Sequence, residues 1–167
     1  MRSLPIGLVL LAILAVLQST VLSQFQWGRG RPDLVALAVL VWSLVSDRND
    51  ALAWALGGGL FLDTLSGGPI GAITLALVFV SLLAGLTESR LWESHILLPL
   101  AAVAIGTVLY HLIYLAALTA SGRQTAWIEA LVAITLPTTV LNLVLTIPAY
   151  RGARWLADQL WRGDVAI

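Results

Sequence analysis

Residues 96–120 read ILLPLAAVAIGTVLYHLIYLAALTA, an apolar run with a single histidine, His111, and no Asp, Glu, Lys or Arg. An α-helix rises 1.5 Å per residue, so about 20 apolar residues cross a hydrocarbon core of about 30 Å. The run is longer than this requirement. It therefore predicts a membrane-spanning helix, and it makes lipid the expected solvent for this part of the chain.

The composition of the whole chain agrees with a membrane location. Hydrophobic residues make up 59% of the sequence and charged residues 11%, with a mean hydropathy of +0.94. A soluble domain needs about a quarter of its residues charged, so a water-facing exterior is excluded. Nine basic residues balance nine acidic ones. The zero net charge argues against nucleic acid as a partner, because phosphate binding requires a basic patch.

Five further apolar segments flank the central run. They cover residues 4–22, 32–46, 51–65, 69–86 and 128–147. The first is longer than the core of a signal peptide, so we interpret it as a membrane helix. The second and third are short for a span, which indicates burial among other helices or a loop in the interface. Together they predict an all-α integral membrane protein with a bundle of about six transmembrane helices over residues 1–148.

Residues 149–167, which follow Pro148, have a different character. At helical spacing one face is polar and the other apolar. The polar face carries Arg151, Arg154, Asp158 and Arg162, and the apolar face carries Ala153, Leu156, Ala157, Leu160 and Trp161. This pattern predicts a C-terminal amphipathic helix that lies in the membrane interface as a cytoplasmic tail. A docking surface for a cytoplasmic partner is the alternative interpretation.

The arginines predict the orientation of the bundle. With six spans, both termini lie on one side of the membrane. That side carries Arg2, Arg48, Arg90, Arg151, Arg154 and Arg162, and the opposite side carries Arg29, Arg31 and Arg123. Because cytoplasmic loops collect positive residues, both termini are expected in the cytoplasm.

Five polar residues of the last segment fall on one helix face. They are Thr135, Thr138, Thr139, Asn142 and Thr146. Because lipid offers them no hydrogen-bond partner, we expect this polar stripe to face the bundle interior and hold helices together. A polar pathway or ligand site is the alternative. For His111 we favour a neutral ring bonded to a facing helix over a functional intramembrane group.

The sharpest local feature is GGGLFLDTLSGGPIG, residues 57–71, in which Asp63 stands near the end of an apolar helix. Its carboxylate could cap the start of the next helix, where free N–H groups attract negative charge. It could instead pair with an arginine on the same side, such as Arg29, Arg31 or Arg123. A place in a partner-binding surface is the third interpretation.

The sequence offers little material for catalysis or metal binding. It contains no Cys, no G-x-S-x-G, no H-E-x-x-H and no phosphate-binding glycine loop with a lysine. A metal site would need at least three converging ligands, and the spacing assembles none. We therefore expect neither an enzyme nor a bound cofactor.

Three stretches resemble one protein family. Arg31-Pro32-Asp33-Leu34 opens the second segment, residues 57–71 carry Gly, then Asp, then Ser-Gly-x-Pro-x-Gly, and the late helix runs into an arginine-bearing tail. This order of motifs resembles the bacterial rod shape-determining protein MreD. The resemblance assigns to the family's central motif the residues Asp63, Gly67, Gly68, Pro69 and Gly71, as a partner-binding or structural motif.

The resemblance implies a non-enzymatic adaptor of the cell-elongation machinery in the bacterial inner membrane. Members of the family bind MreC, a single-span protein with a large periplasmic part. Through this assembly they support peptidoglycan synthesis and cell shape together with a lipid II polymerase, a class B penicillin-binding transpeptidase and an actin-like filament protein. The tail departs from the family's pattern, because Asp158 and Asp164 make it less basic than many.

A second function remains open from the sequence. The six-helix arrangement of the family resembles the substrate-binding subunits of energy-coupling-factor transporters. The alternative is therefore a vitamin-type substrate-binding subunit of a membrane transporter. The short second and third segments, the polar stripe and His111 favour it.

Overall fold

The computed structural model describes residues 3–21, 29–85 and 97–161, and the regular elements in these ranges are helices. Six helices follow one another along the chain. They are α1 (Ser3–Thr20), α2 (Leu34–Val45), α3 (Arg48–Ser66), α4 (Ala72–Ala84), α5 (Leu97–Ala120) and α6, which joins Trp127–Ala130, a π-helical stretch Leu131–Thr135 and Leu136–Trp161 without a break. The predicted all-α class with six helices is confirmed for the described part of the chain.

The helices differ in how well they suit a membrane span. Helices α1, α5 and α6 are long and apolar enough to cross a bilayer, and α2 and α4 are apolar but shorter. Helix α3 has 19 residues but carries Arg48, Asp50 and Asp63. Three long helices are thus candidate membrane spans, and the predicted total of about six spans stays a prediction.

Helix α2 lies at the centre of the bundle. It packs against each of the other five helices, and nearly all of its side chains are buried. This explains its length and composition, since a helix that touches protein on every side needs no polar face. Its first turn is capped by Asp33, whose side chain accepts a hydrogen bond from the backbone N–H of Ala36 at 3.0 Å.

Helix α3 begins three residues before the predicted segment 51–65. The side chain of Asp47 accepts a hydrogen bond from the backbone N–H of Asp50 at 3.0 Å and so caps the first turn. Helices α3 and α4 then pack closely together, because Gly59 has no side chain. A Cβ atom at Gly59 would overlap the Cα atom of Thr74 on α4.

The structure differs from the sequence analysis at Pro148, where a separate C-terminal helix was predicted. Helix α6 continues through Pro148 to Trp161. Proline removes one backbone donor, a cost that packing in a membrane bundle can offset. Here the packing comes from Ala149, Tyr150 and Ala153, which lie against the core just after the proline.

The amphipathic pattern of residues 149–161 is nevertheless present. Leu156 and Leu160 are half-buried and Ala157 is buried, whereas Arg151, Arg154 and Asp158 are exposed. The apolar face packs on the bundle itself. A position in the membrane interface, and the division of the chain at residue 148, stay predictions.

The orientation in the membrane also stays a prediction. Of the arginines that support it, Arg2, Arg90 and Arg162 lie outside the described residues. The fold does place the described termini at one end of the bundle. The connection between α3 and α4 lies at the other end with the start of α2, the end of α5 and the start of α6.

Candidate functional site

The end of the bundle opposite the termini holds two polar features, a capped turn and a cavity. The turn covers residues 66–71 between α3 and α4, and we call it the α3–α4 turn. The cavity lies beside it and is lined by residues of α1, α3, α4, α5 and α6 and of the segment just before α2. The residues singled out in the sequence analysis as site candidates lie in or beside these features, except Thr139, Asn142 and Thr146, which lie further along α6 and outside the cavity lining.

Asp63 organises the α3–α4 turn. Its carboxylate accepts hydrogen bonds from the backbone N–H groups of Gly71 at 3.0 Å, Ile73 at 3.0 Å and Thr74 at 3.1 Å. The Thr74 hydroxyl donates a further bond at 2.6 Å. Among the three interpretations of Asp63, this is the helix-capping arrangement, since these N–H groups have no partner within α4. The side chain is 3% exposed.

The four other residues of the predicted central motif form the turn itself. Gly67 has φ of 63° where it ends α3, and Gly71 has φ of 92° at the start of α4. The carbonyl of Pro69 accepts the N–H of Ala72 at 3.1 Å. Gly68 lies against Tyr114, whose hydroxyl would be 2.9 Å from a Cβ atom there. The turn therefore requires glycine for its backbone angles and for its fit against α5.

A second contact braces the turn from the α5–α6 connection. The guanidinium of Arg123 donates a hydrogen bond to the carbonyl of Gly67 at 3.1 Å. Nearby, Arg29 and Glu129 form an ion pair that links the segment before α2 to the start of α6. Arg29 and Glu129 are more than half exposed, so this pair contributes little to stability.

Gly71→Ala provides a test of the turn. Because φ of 92° is unfavourable for any residue with a Cβ, we expect the free energy of unfolding to fall by about 1–2 kcal/mol. Equilibrium unfolding in mixed detergent micelles, followed by tryptophan fluorescence, measures the change. Gly152→Ala is the matched control, since Gly152 is helical with open space around it. If the Gly71→Ala and Gly152→Ala variants were equally stable, the backbone angle at Gly71 would not require glycine.

A buried polar network joins four helices beside the cavity. The backbone N–H of Asp33 donates to Asn142 Oδ1 at 3.0 Å, and Asn142 Nδ2 donates to Thr107 Oγ1 at 3.3 Å. Gln18 Nε2 donates to Asp33 Oδ1 at 3.1 Å, and the N–H of Val35 donates to Gln18 Oε1 at 3.1 Å. The start of α2 is thus tied to α1, α5 and α6.

The polar stripe of α6 is buried along its whole length, with exposures between 0% and 8%. Its members have different bonding roles. Asn142 and Thr138 bond to other segments, the latter by accepting the N–H of Arg31 at 3.4 Å. Thr135, Thr139 and Thr146 donate to carbonyl groups of their own helix. Adhesion between helices through this stripe therefore depends on Asn142 and Thr138.

His111 bonds within its own helix rather than across to a facing one. Its Nδ1 lies 2.9 Å from the carbonyl oxygen of Thr107. A carbonyl only accepts, so Nδ1 carries a proton, and in a neutral ring Nε2 then has a lone pair. The ring stands edge-on to Tyr110, with 5.0 Å between ring centroids, and it lines the cavity.

The cavity has a volume of about 480 Å³. Its lining contains both polar and apolar residues. The polar ones include Gln18, Arg31, Asp33, Tyr110, His111 and Tyr114, with Thr135 and Thr138 of the polar stripe. The apolar ones include Leu62, Leu65, Leu115 and Leu118. In the described part of the chain, no group of three His, Asp or Glu residues is arranged to hold a metal ion.

Sequence reasoning did not single out Gln18, and it noted Asp33 only within the family resemblance. A local signal existed for Asp33, because Pro-Asp before an apolar run is a helix-start signature. For Gln18 the signal was weaker. It is an amide within an otherwise apolar segment, and its partners are 15 and 17 positions away in the sequence.

The fold and the buried polar groups define a helical membrane protein with polar contacts held inside its bundle. The sequence model of the rod shape-determining protein MreD matches residues 1–151. The chain therefore belongs to the MreD family, a non-enzymatic family with a role in determining rod shape. No curated protein and no solved structure matches the chain significantly.

Proposed function

We propose that this protein is a membrane adaptor of the bacterial cell-elongation machinery that binds MreC through the α3–α4 turn. It resides in the inner membrane with both termini in the cytoplasm. Through MreC it is connected to the lipid II polymerase, the class B penicillin-binding protein and the actin-like filament protein. Its role is to support peptidoglycan synthesis and the regulation of cell shape, without chemistry of its own.

The observation that carries the proposal is the exposure of Ile70. This side chain is 88% exposed at the tip of the α3–α4 turn. The turn below it is fixed by Asp63 and braced by Arg123, so little conformational freedom is lost when a partner binds. A large apolar side chain on a rigid, polar-rimmed turn is suited to fill a pocket on a partner protein.

The predicted orientation supports a partner on the periplasmic side. With both termini cytoplasmic, the α3–α4 turn lies at the periplasmic end of the bundle. MreC has its large part in that compartment. A contact there requires no passage through the hydrocarbon core.

Ile70→Glu tests the docking surface. We expect co-purification of MreC to fall about thirtyfold, because a central apolar anchor contributes about 2 kcal/mol or more to binding. Ile128→Glu is the matched control, since Ile128 is 80% exposed near the same end of the bundle but lies on α6. Quantitative mass spectrometry of tagged protein extracted in mild detergent gives the ratio of MreC to bait.

Two results would count against this surface. One is undiminished co-purification from an Ile70→Glu variant that inserts and folds normally. The other is an equal loss with Ile128→Glu, which would indicate a general effect of charge at this end of the bundle.

The cavity favours a second candidate function, a vitamin-type substrate-binding subunit of a transporter. Its volume of about 480 Å³ suits a small molecule, and the polar stripe and His111 contribute to its lining. A vitamin-sized compound released on denaturation of the purified protein would support this function. Purification with a paired ATPase and a coupling membrane subunit would do the same.

A further inference from the structure

The cavity contains one charge of each sign. Arg31 and Asp33, on either side of Pro32, are the charged residues among the described side chains that line it. Arg31 is exposed, whereas Asp33 is 7% exposed and lies within the buried network. The positive charge is therefore near the surface and the negative charge is buried. A ligand that carries one charge of each sign could pair with both.

Asp33 has acceptor capacity that the protein does not use. The side-chain bonds from Gln18 Nε2 and Ala36 N both go to Oδ1. The Tyr110 hydroxyl donates a third hydrogen bond to the carboxylate. A carboxylate has about four acceptor positions, so one position remains for a donor in the cavity.

His111 and two tyrosines complete an environment for an ammonium group. In a neutral ring with its proton on Nδ1, Nε2 of His111 is a hydrogen-bond acceptor. The cavity is also lined by Tyr110, His111 and Tyr114, which all belong to α5. The faces of tyrosine rings attract cations. An ammonium group has three donors and no acceptor, which matches this set of groups.

Arg31 supplies the complementary site for an anion. Its backbone N–H is held by Thr138 Oγ1 at 3.4 Å, which fixes the segment before α2 against α6. A guanidinium group binds phosphate through paired N–H donors. The leucines of the cavity lining, Leu62, Leu65, Leu115 and Leu118, suit a hydrocarbon portion of the ligand.

We propose that the cavity binds a phosphoethanolamine group, with the ammonium near Asp33 and His111 and the phosphate near Arg31. Two sources present this chemistry, the headgroup of phosphatidylethanolamine and soluble glycerophosphoethanolamine. The proposal goes beyond the adaptor function and does not depend on MreC. If the protein did not bind MreC, the ligand proposal would still stand. If the cavity bound no ligand, the proposal that the α3–α4 turn binds MreC would still stand.

The test is a binding titration of the purified, delipidated full-length protein. The probes are phosphatidylethanolamine, phosphatidylglycerol and glycerophosphoethanolamine, followed by native mass spectrometry. The variants are Asp33→Asn and Arg31→Gln. Asparagine retains the helix cap and removes the charge. The matched controls are Asp47→Asn, a helix cap at the other end of the bundle, and Arg29→Gln, an exposed arginine that pairs with Glu129.

The expected result is preferential binding of phosphoethanolamine compounds, weakened about tenfold by each cavity variant and unchanged in the controls, since each variant removes one charged hydrogen bond. Binding of the lipid alone assigns the site to membrane lipid. Binding of glycerophosphoethanolamine with equal affinity assigns it to a soluble ligand. Equal affinity for phosphatidylglycerol, equal effects of cavity and control variants, or no binding of either phosphoethanolamine compound would overturn the proposal.

Discussion

Asp63→Ala is expected to lower the free energy of unfolding by about 3–5 kcal/mol, because it leaves buried N–H groups without partners. The carboxylate receives bonds from Gly71, Ile73 and Thr74, and it is 3% exposed. The burial of this cap within the protein keeps water from replacing the lost bonds. Unfolding in mixed detergent micelles, followed by tryptophan fluorescence, measures the loss.

Asp47→Ala is the matched control for this variant. Asp47 also caps a helix, but it accepts one backbone bond, from Asp50, at the opposite end of the bundle. Its loss should cost about 1 kcal/mol. If the Asp63 and Asp47 variants were destabilised equally, the four-bond cap would not be the main support of the α3–α4 turn.

Gly59→Ala is the second variant with a large expected effect. The new Cβ atom would overlap the backbone of Thr74 and force α3 and α4 apart. Backbone cannot move aside as a side chain can, so we expect a loss of about 3 kcal/mol despite the higher helix propensity of alanine. The same micelle unfolding experiment measures it.

Gly57→Ala controls for the change in helix propensity. A Cβ atom at Gly57 meets the Cδ2 methyl of Leu8 at 2.5 Å, the flexible end of a side chain. Leu8 can rotate, so this variant should lose about 1 kcal/mol or less. A Gly59 variant as stable as the Gly57 variant would show that α3 and α4 do not depend on this close approach.

The features that the sequence predicted well are local. The polar stripe of α6 repeats at helical spacing, so its burial on one face followed from the pattern alone. Asp63 and the α3–α4 turn lie within a few residues of each other, and the preference of glycine for positive φ marked where the chain turns. Such local patterns can be interpreted without knowing which helices lie next to them.

The features that the sequence missed depend on contacts between distant segments. Asp33 and Asn142 are 109 positions apart, and Asn142 and Thr107 are 35 apart. No spacing rule brings such residues together, so the network around the cavity required the fold. His111 was expected to bond across helices, but a carbonyl of its own helix lies within reach of its ring.

The continuation of α6 through Pro148 is another feature that depends on contacts between distant segments. Proline usually ends or kinks a helix, and the change in composition after it favoured a boundary. The helix continues because Ala149, Tyr150 and Ala153 pack against the core. Tertiary packing here outweighs a local preference, and a single sequence does not report that packing.

The central claim, that this member of the MreD family acts by binding MreC, is tested most directly by purification from the native membrane. The tagged full-length protein would be extracted in mild detergent, and the co-purifying proteins would be identified by mass spectrometry. The account predicts recovery of MreC with the wall-synthesis enzymes. Recovery of a paired ATPase and a coupling membrane subunit, with no MreC, would contradict it and identify a transporter component instead.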